Sequence, residues 1–307
     1  MMLDFLPPEF IVLGLCGIAA GIASGLFGIG GGSLFVPVVF WWLSSFQGVD
    51  ADTAFKHAVS HSLILVAITS FASARLHYRN GAVNLASVKE WLLPIVVGVV
   101  IVSILFSYLP AVLLAGCLLF ALTVSAVLLL QPKLLQLFAE AASCKKSHRL
   151  IGLSVVDVWL PTLIGGISSA GGIGAGSLGV PSLQAARGLS AKTSSATASA
   201  FSFSVGFISS VILLLGLVTL RHKKEFAMPG RIEVTDSSSW SQLAFDWISQ
   251  PIGGIYPIVV ITIALGGIIG APLGVRIHRK ISHESLNKLF SLVLIAVALD
   301  IMRQLIG

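Results

Sequence analysis

The stretch Gly28-Ile29-Gly30-Gly31-Gly32-Ser33-Leu34-Phe35-Val36-Pro37 returns as Gly172-Ile173-Gly174-Ala175-Gly176-Ser177-Leu178-Gly179-Val180-Pro181, 144 residues later (172 − 28) in a chain of 307. Each copy interrupts an apolar run where a helix would otherwise continue. Glycine-interrupted hydrophobic segments at matching places in two halves of a chain point to the substrate site of a membrane transporter.

Mean hydropathy is +0.97 and charged residues make up 10% of the chain, against roughly a quarter in a soluble domain. Most of the chain is therefore expected to lie in lipid. Residues 1–10 contain Asp4 and Glu9 and no Lys or Arg, unlike the basic start of a signal peptide, so the first helix is expected to be retained. The net charge of +6 suits cytoplasmic loop Lys and Arg better than nucleic-acid binding. Cys16, Cys117 and Cys144 lie far apart without CxxC spacing, which indicates neither a disulfide framework nor zinc. No cofactor is implied.

Apolar runs fall at about 10–27, 34–46, 54–74, 91–109, 111–130, 151–170, 177–186, 196–220, 254–275 and 289–306, against the ~20 residues of a spanning helix. The second and seventh are too short to span. Each is expected to pair with the run before it as a re-entrant hairpin or a broken helix. The basic segments Arg75–Lys89 and Lys133–Arg149 are expected in the cytoplasm. Counting crossings then puts Asp50, Asp52 and both termini outside. The fold expected is an all-α polytopic membrane protein of two inverted repeats, each a glycine-broken hairpin plus three spanning helices. The divisions are 1–132, a cytoplasmic linker at 133–150, and 151–307 with a polar loop at 221–250. That loop starts Arg221-His222-Lys223-Lys224, against the external position that the count gives it.

Non-helical backbone at membrane depth must line a cavity or be buried in protein. Ser33 and Ser177 are read as lying near the N-caps of the short helices, with Pro37 and Pro181 in their first turns. Helix starts carry free N–H groups and about half a positive charge, so two of them facing each other would bind an anion. Gly28, Gly30, Gly31, Gly32, Gly172, Gly174 and Gly176 would let that ligand reach the backbone, and a bulky residue at Gly32 or Gly176 would fill the cavity. Close helix packing is the competing account of these glycines.

A second patch pairs Ser60 with Thr197 and Ser62 with Ser199 at a shift of 137. These hydroxyls could contact ligand or bond helix to helix. His57 and His61, spaced i and i+4, could pass protons, while a metal site lacks a third ligand. Lys56 could snorkel to the outer interface or draw anions into a vestibule. Asp157, Asp300 and Arg303 read as interfacial. The GxGxxG at 174–179 follows an apolar helix and not a strand, so a dinucleotide site is not expected.

The two glycine motifs, the Ser/Thr patches and Ile268-Ile269-Gly270-Ala271-Pro272-Leu273-Gly274-Val275-Arg276 together resemble the TauE/SafE sulfite exporter family over nearly the whole chain. The resemblance implies a bacterial inner-membrane (plasma-membrane) carrier exporting sulfite or organosulfonates such as sulfoacetate. The expected partners are a small anionic substrate and the lipid bilayer, and a homodimer is compatible with this. An anion channel and an intramembrane enzyme using Ser60 or Ser62 with a histidine are the alternatives.

Overall fold

The computed structural model describes residues 8–131, 133–137, 149–150, 153–221, 251 and 254–306. Apart from Arg221, the polar loop read at 221–250 lies outside these residues, as does 138–148 of the linker.

Ten helices match the ten apolar runs. In the first half they are α1 (Pro8–Phe27), α2 (Gly32–Phe46), α3 (Ala51–Arg79), α4 (Leu85–Leu105) and α5 (Ala111–Leu130). In the second they are α6 (Val155–Gly171), α7 (Gly176–Arg187), α8 (Ala191–Arg221), α9 (Pro257–Lys280) and α10 (His283–Ile306). A further helical stretch covers 133–137, and a two-residue antiparallel pairing of Arg149–Leu150 with Leu153–Ser154 precedes α6. Among the described residues, seven helices are long and apolar enough to cross a membrane. The chain is an all-α, multi-pass membrane protein.

Local chemistry sets the helix ends. Asp50 accepts from the Thr53 N–H (3.1 Å) at the start of α3, and Asn84 accepts from Ser87 (2.9 Å) at the start of α4. Gly188, left-handed at φ 63°, stops α7 because it has no Cβ to oppose that conformation.

Small residues then set the packing. Gly17, Gly21 and Gly25 of α1 sit on the backbone of α9 at Ile263, Gly267 and Ala271, so the two helices run in the same direction. In the other half, α6 lies along α4 in the same way: Gly165 meets Ile95, Gly98 meets Thr162, and Ser169 bonds Ser103 at 3.0 Å. At the centre α3 crosses α8, where Gly206 touches Leu63 and Ala67 and the Phe71 and Phe203 rings lie 5.5 Å apart. Exchanging the two halves reproduces these pairings, with α5 packed on α10. Large apolar side chains such as Leu93, Ile104, Leu163, Leu265 and Leu299 point outward, as a bilayer solvent allows.

Both glycine breaks are hairpins. The end of α1 lies level with the end of α3, through Ser24 to Ser73 (3.0 Å) and His77 Nε2 to the Gly25 carbonyl (2.9 Å). α2 then runs back, and Phe40 meets Phe55 near the start of α3 at 6.0 Å. The end of α7 likewise returns to the start of α6, where Arg187 pairs with Asp157 at 2.9 Å. Asp157, expected at the interface, is 6% exposed. Its carboxylate is held inside by Arg187 and by the Trp91 indole N–H (3.2 Å).

Candidate functional site: two helix starts at the centre

The tips of the two hairpins meet each other. A side chain on Gly32 would collide with the Gly172 carbonyl, and one on Gly176 with the Gly28 carbonyl. The backbone of the opposite loop thus occupies the space that the sequence reading gave to a ligand and to a filling side chain. Gly28, Gly30, Gly31, Gly172 and Gly174 have φ of 71°, 73°, 80°, 68° and 68°, a region that glycine enters without penalty. The five left-handed glycines turn the chain within a few residues, and the remaining two let the turns touch.

Ser33 and Ser177 are not caps. Gly31 and Ala175 hold the N-cap positions of α2 and α7 without side-chain bonds, so each serine is the second residue of its helix. Pro37 and Pro181 lie inside their helices and not in the first turns. Lacking an N–H, each leaves the serine carbonyl four residues earlier without its helical donor. Both serine hydroxyls are fully buried and make no hydrogen bond. The N–H groups of Gly32, Ser33, Gly176 and Ser177 have no partner within their helices, nor any outside them among the described residues.

Several loop carbonyls, by contrast, are occupied. Ser62 donates to Gly172 (2.6 Å) and Gly32 (3.3 Å), and so ties one hairpin to the other. Thr69 donates to Gly30 (2.5 Å), Ser202 to Gly28 (3.0 Å) and Ser195 to Leu26 (3.1 Å). His77 meets the Gly25 carbonyl and His278 Nδ1 meets that of Leu26 at 2.7 Å. The carbonyls of Gly28, Gly30 and Gly172 are thus bonded, while the helix-start N–H groups and the two serine hydroxyls are not.

Of the remaining expected residues, Ser60 donates to its own helix at Lys56 (3.0 Å) and Ser199 to Ala196 (2.6 Å). Thr197 donates to Thr193 (2.7 Å) and accepts the Asn84 N–H (3.0 Å). In position, the counterpart of Ser62 is Ser202 and not Ser199, which makes the shift 140. The starts of α3 and α8, Ala51 and Ala191, are 140 apart (191 − 51) and carry that signal in the sequence.

His61 is buried and bonds at both ring nitrogens. Nε2 accepts the Tyr256 N–H (2.9 Å), which makes Nδ1 the donor to the His57 carbonyl (2.7 Å). This neutral tautomer leaves no nitrogen open to a metal or an incoming proton. His57 lies against Gly254, and Lys56 is half-buried near the start of α3. His77, within the basic segment Arg75–Lys89 that was expected in the cytoplasm, and His278 have rings 4.8 Å apart. Their burial, at 1% and 2% exposed, follows from the tertiary packing.

No solved structure matches the chain. It is 29% identical over 286 residues to a probable membrane transporter protein of Haemophilus influenzae, covering 93% of this chain and 95% of the relative. A second probable membrane transporter protein, from Methanocaldococcus jannaschii, is 28% identical, with 91% and 90% covered. The sequence profile of the sulfite exporter TauE/SafE matches residues 13–301. With its paired glycine hairpins and a family match spanning nearly its whole length, the chain belongs to the TauE/SafE sulfite exporter family of membrane transport proteins.

Proposed function

We propose that the chain is a secondary carrier that exports small sulfur-containing anions, sulfite or short organosulfonates, through a site at the starts of α2 and α7. The observation that carries this reading is the pair of fully buried, unpartnered hydroxyls of Ser33 and Ser177 beside free helix N–H groups. Buried polar groups without partners are rare and call for an explanation. An anion seated between the two helix starts would accept from both. Ser62 and Ser202 hold the loop carbonyls away from it. Loop backbones in contact support a carrier over an open pore, because the hairpins must part before an anion can enter.

Sulfur enters through the family. The anion preference comes from the donors. In an inner membrane with the cytoplasm negative, one anionic charge moving outward gains ~2.3 kcal/mol per 100 mV, so export requires no other energy source. On this reading the halves are inverted repeats, both termini lie outside, and Lys56 and His57 flank the outer vestibule.

Sulfite uptake into proteoliposomes and binding to purified protein test the proposal. Ser33→Ala and Ser177→Ala each remove a donor to a charged guest and should weaken binding about tenfold or more. Because neither hydroxyl has a partner now, both variants should unfold at the same temperature as the wild type or higher. Wild-type sulfite affinity in the double variant would remove the site.

A further inference from the structure

On the surface of the protein, α3, α8 and α9 enclose a groove of about 630 Å³ lined by Ala67, Phe71, Phe207, Ile268, Arg75 and Arg79 among others. That volume is within the range of ligand pockets, roughly 300–1,000 Å³. Its chemistry is graded along α3. Phe71, Arg75 and Arg79 are spaced i, i+4 and i+8, so they share one helix face and span about 12 Å at ~1.5 Å per residue. The Phe71 end is aromatic, with Phe203 5.5 Å away and Phe207 stacked on Phe203 at 5.7 Å. The other end carries two exposed guanidiniums in the last turns of α3, beside the exposed ring of Tyr78. Among the described residues neither arginine takes part in an ion pair.

We propose that this groove is a binding site for an anionic phospholipid, with an acyl chain along Phe71, Phe203 and Phe207 and the phosphate on Arg75 and Arg79. The groove faces the bilayer, so a lipid tail is what surrounds it, and an aromatic floor ending in two unpaired cations selects for a negative headgroup. Basic pockets between spanning helices are where such headgroups bind. A small free anion would use the arginines and leave the apolar part empty. A second copy of the chain would have to bring its own acidic partner for two arginines.

Purified full-length protein in detergent would be titrated with phosphatidylglycerol, phosphatidylcholine or inorganic phosphate, with the thermal midpoint and lipid retention in native mass spectrometry as readouts. Phosphatidylglycerol should raise the midpoint and stay bound, while phosphatidylcholine and phosphate should do neither. Arg75→Gln with Arg79→Gln should weaken the phosphatidylglycerol response at least tenfold. Ile268→Trp, which obstructs the apolar part and keeps both arginines, should weaken it too. Equal responses to both lipids, an equal response to phosphate, or a wild-type response in both variants would overturn the proposal. So would a lipid-independent dimer that protects the groove.

Discussion

The two hairpins share a backbone plan and are secured by different chemistry. At the tip of the first, hydroxyls and imidazoles hold the carbonyls: His77, His278, Thr69, Ser195 and Ser202 reach Gly25, Leu26, Gly28 and Gly30. The second is tied at its open end by charge, where Arg187 bridges Asp157 (2.9 Å) and Glu90 (2.5 Å) and lies 5.5 Å over the Trp91 ring. Near its tip, Ser103, Ser169 and Ser209 bond one another at 2.8–3.1 Å. The shared element is the left-handed glycine turn followed by a helix start with a buried serine. An internal repeat therefore fixes the site geometry twice, while each copy finds its own way to hold that geometry in place.

The largest expected effect breaks the charged side of this contrast. Asp157→Ala leaves the Arg187 guanidinium, 15% exposed, without its inner partner, and removal of one member of a buried pair is destabilising by about 3–5 kcal/mol. Glu90 is 41% exposed, so Glu90→Gln should change stability by less than about 1 kcal/mol. Thermal unfolding of the two variants, read side by side, would show whether the lock is Asp157 alone. Equal losses would mean that the exposed arm matters as much as the buried one.

Next come substitutions that test what the hairpins share. Gly32→Ala and Gly176→Ala each drive a methyl group into the carbonyl of the opposite loop. Overpacking of this kind is destabilising by about 1–3 kcal/mol, and transport should fall with it. The losses should be similar, because the collisions mirror each other. A large loss in one and none in the other would show that the loops do not meet symmetrically.

The smallest effect concerns how α3 and α8 begin after their hairpins. Asp50 caps α3, and the Thr53 N–H holds its carboxyl below the ordinary aspartate value. A folded value below the unfolded ~3.9 means the cap's contribution is complete above the unfolded value and disappears as pH falls through the folded one. Ser190 accepts the Thr193 N–H at 3.3 Å in the corresponding place and does not titrate. Acid should therefore loosen α3 and not α8. Asp50→Asn should flatten the small acid dependence of the thermal midpoint, and an unchanged pH profile would assign that dependence elsewhere.

Much of this was readable before any coordinates. Helices α1–α10 fall on the apolar runs, because ~20 apolar residues and a glycine-rich break leave few other ways to satisfy the backbone in lipid. The helix starts of α2 and α7 followed from the same break. The register of the Ser/Thr patch did not: local similarity gave a shift of 137, while in the fold Ser62 on the Gly172 carbonyl corresponds to Ser202 on the Gly28 carbonyl. Asp157 looked interfacial because its partner Arg187 is 30 residues away (187 − 157), and local hydropathy carries no record of such a pairing. His77 looked like loop charge for the same reason: His278, its neighbour at 4.8 Å in space, is two hundred residues away in sequence.

By itself, the sequence determined that the chain lives in a membrane, that it is built twice, and that each half breaks a helix at a serine-bearing start. These are one-dimensional properties, set by hydropathy, spacing and the freedom of glycine to take positive φ. The tertiary structure decided that the breaks are hairpins, that their tips touch, and that the carbonyls of Gly28, Gly30 and Gly172 are bonded while the serine hydroxyls are not. Contact and hydrogen-bond partnership depend on which distant residues the packing brings within about 3 Å, and no local pattern in the chain encodes that choice.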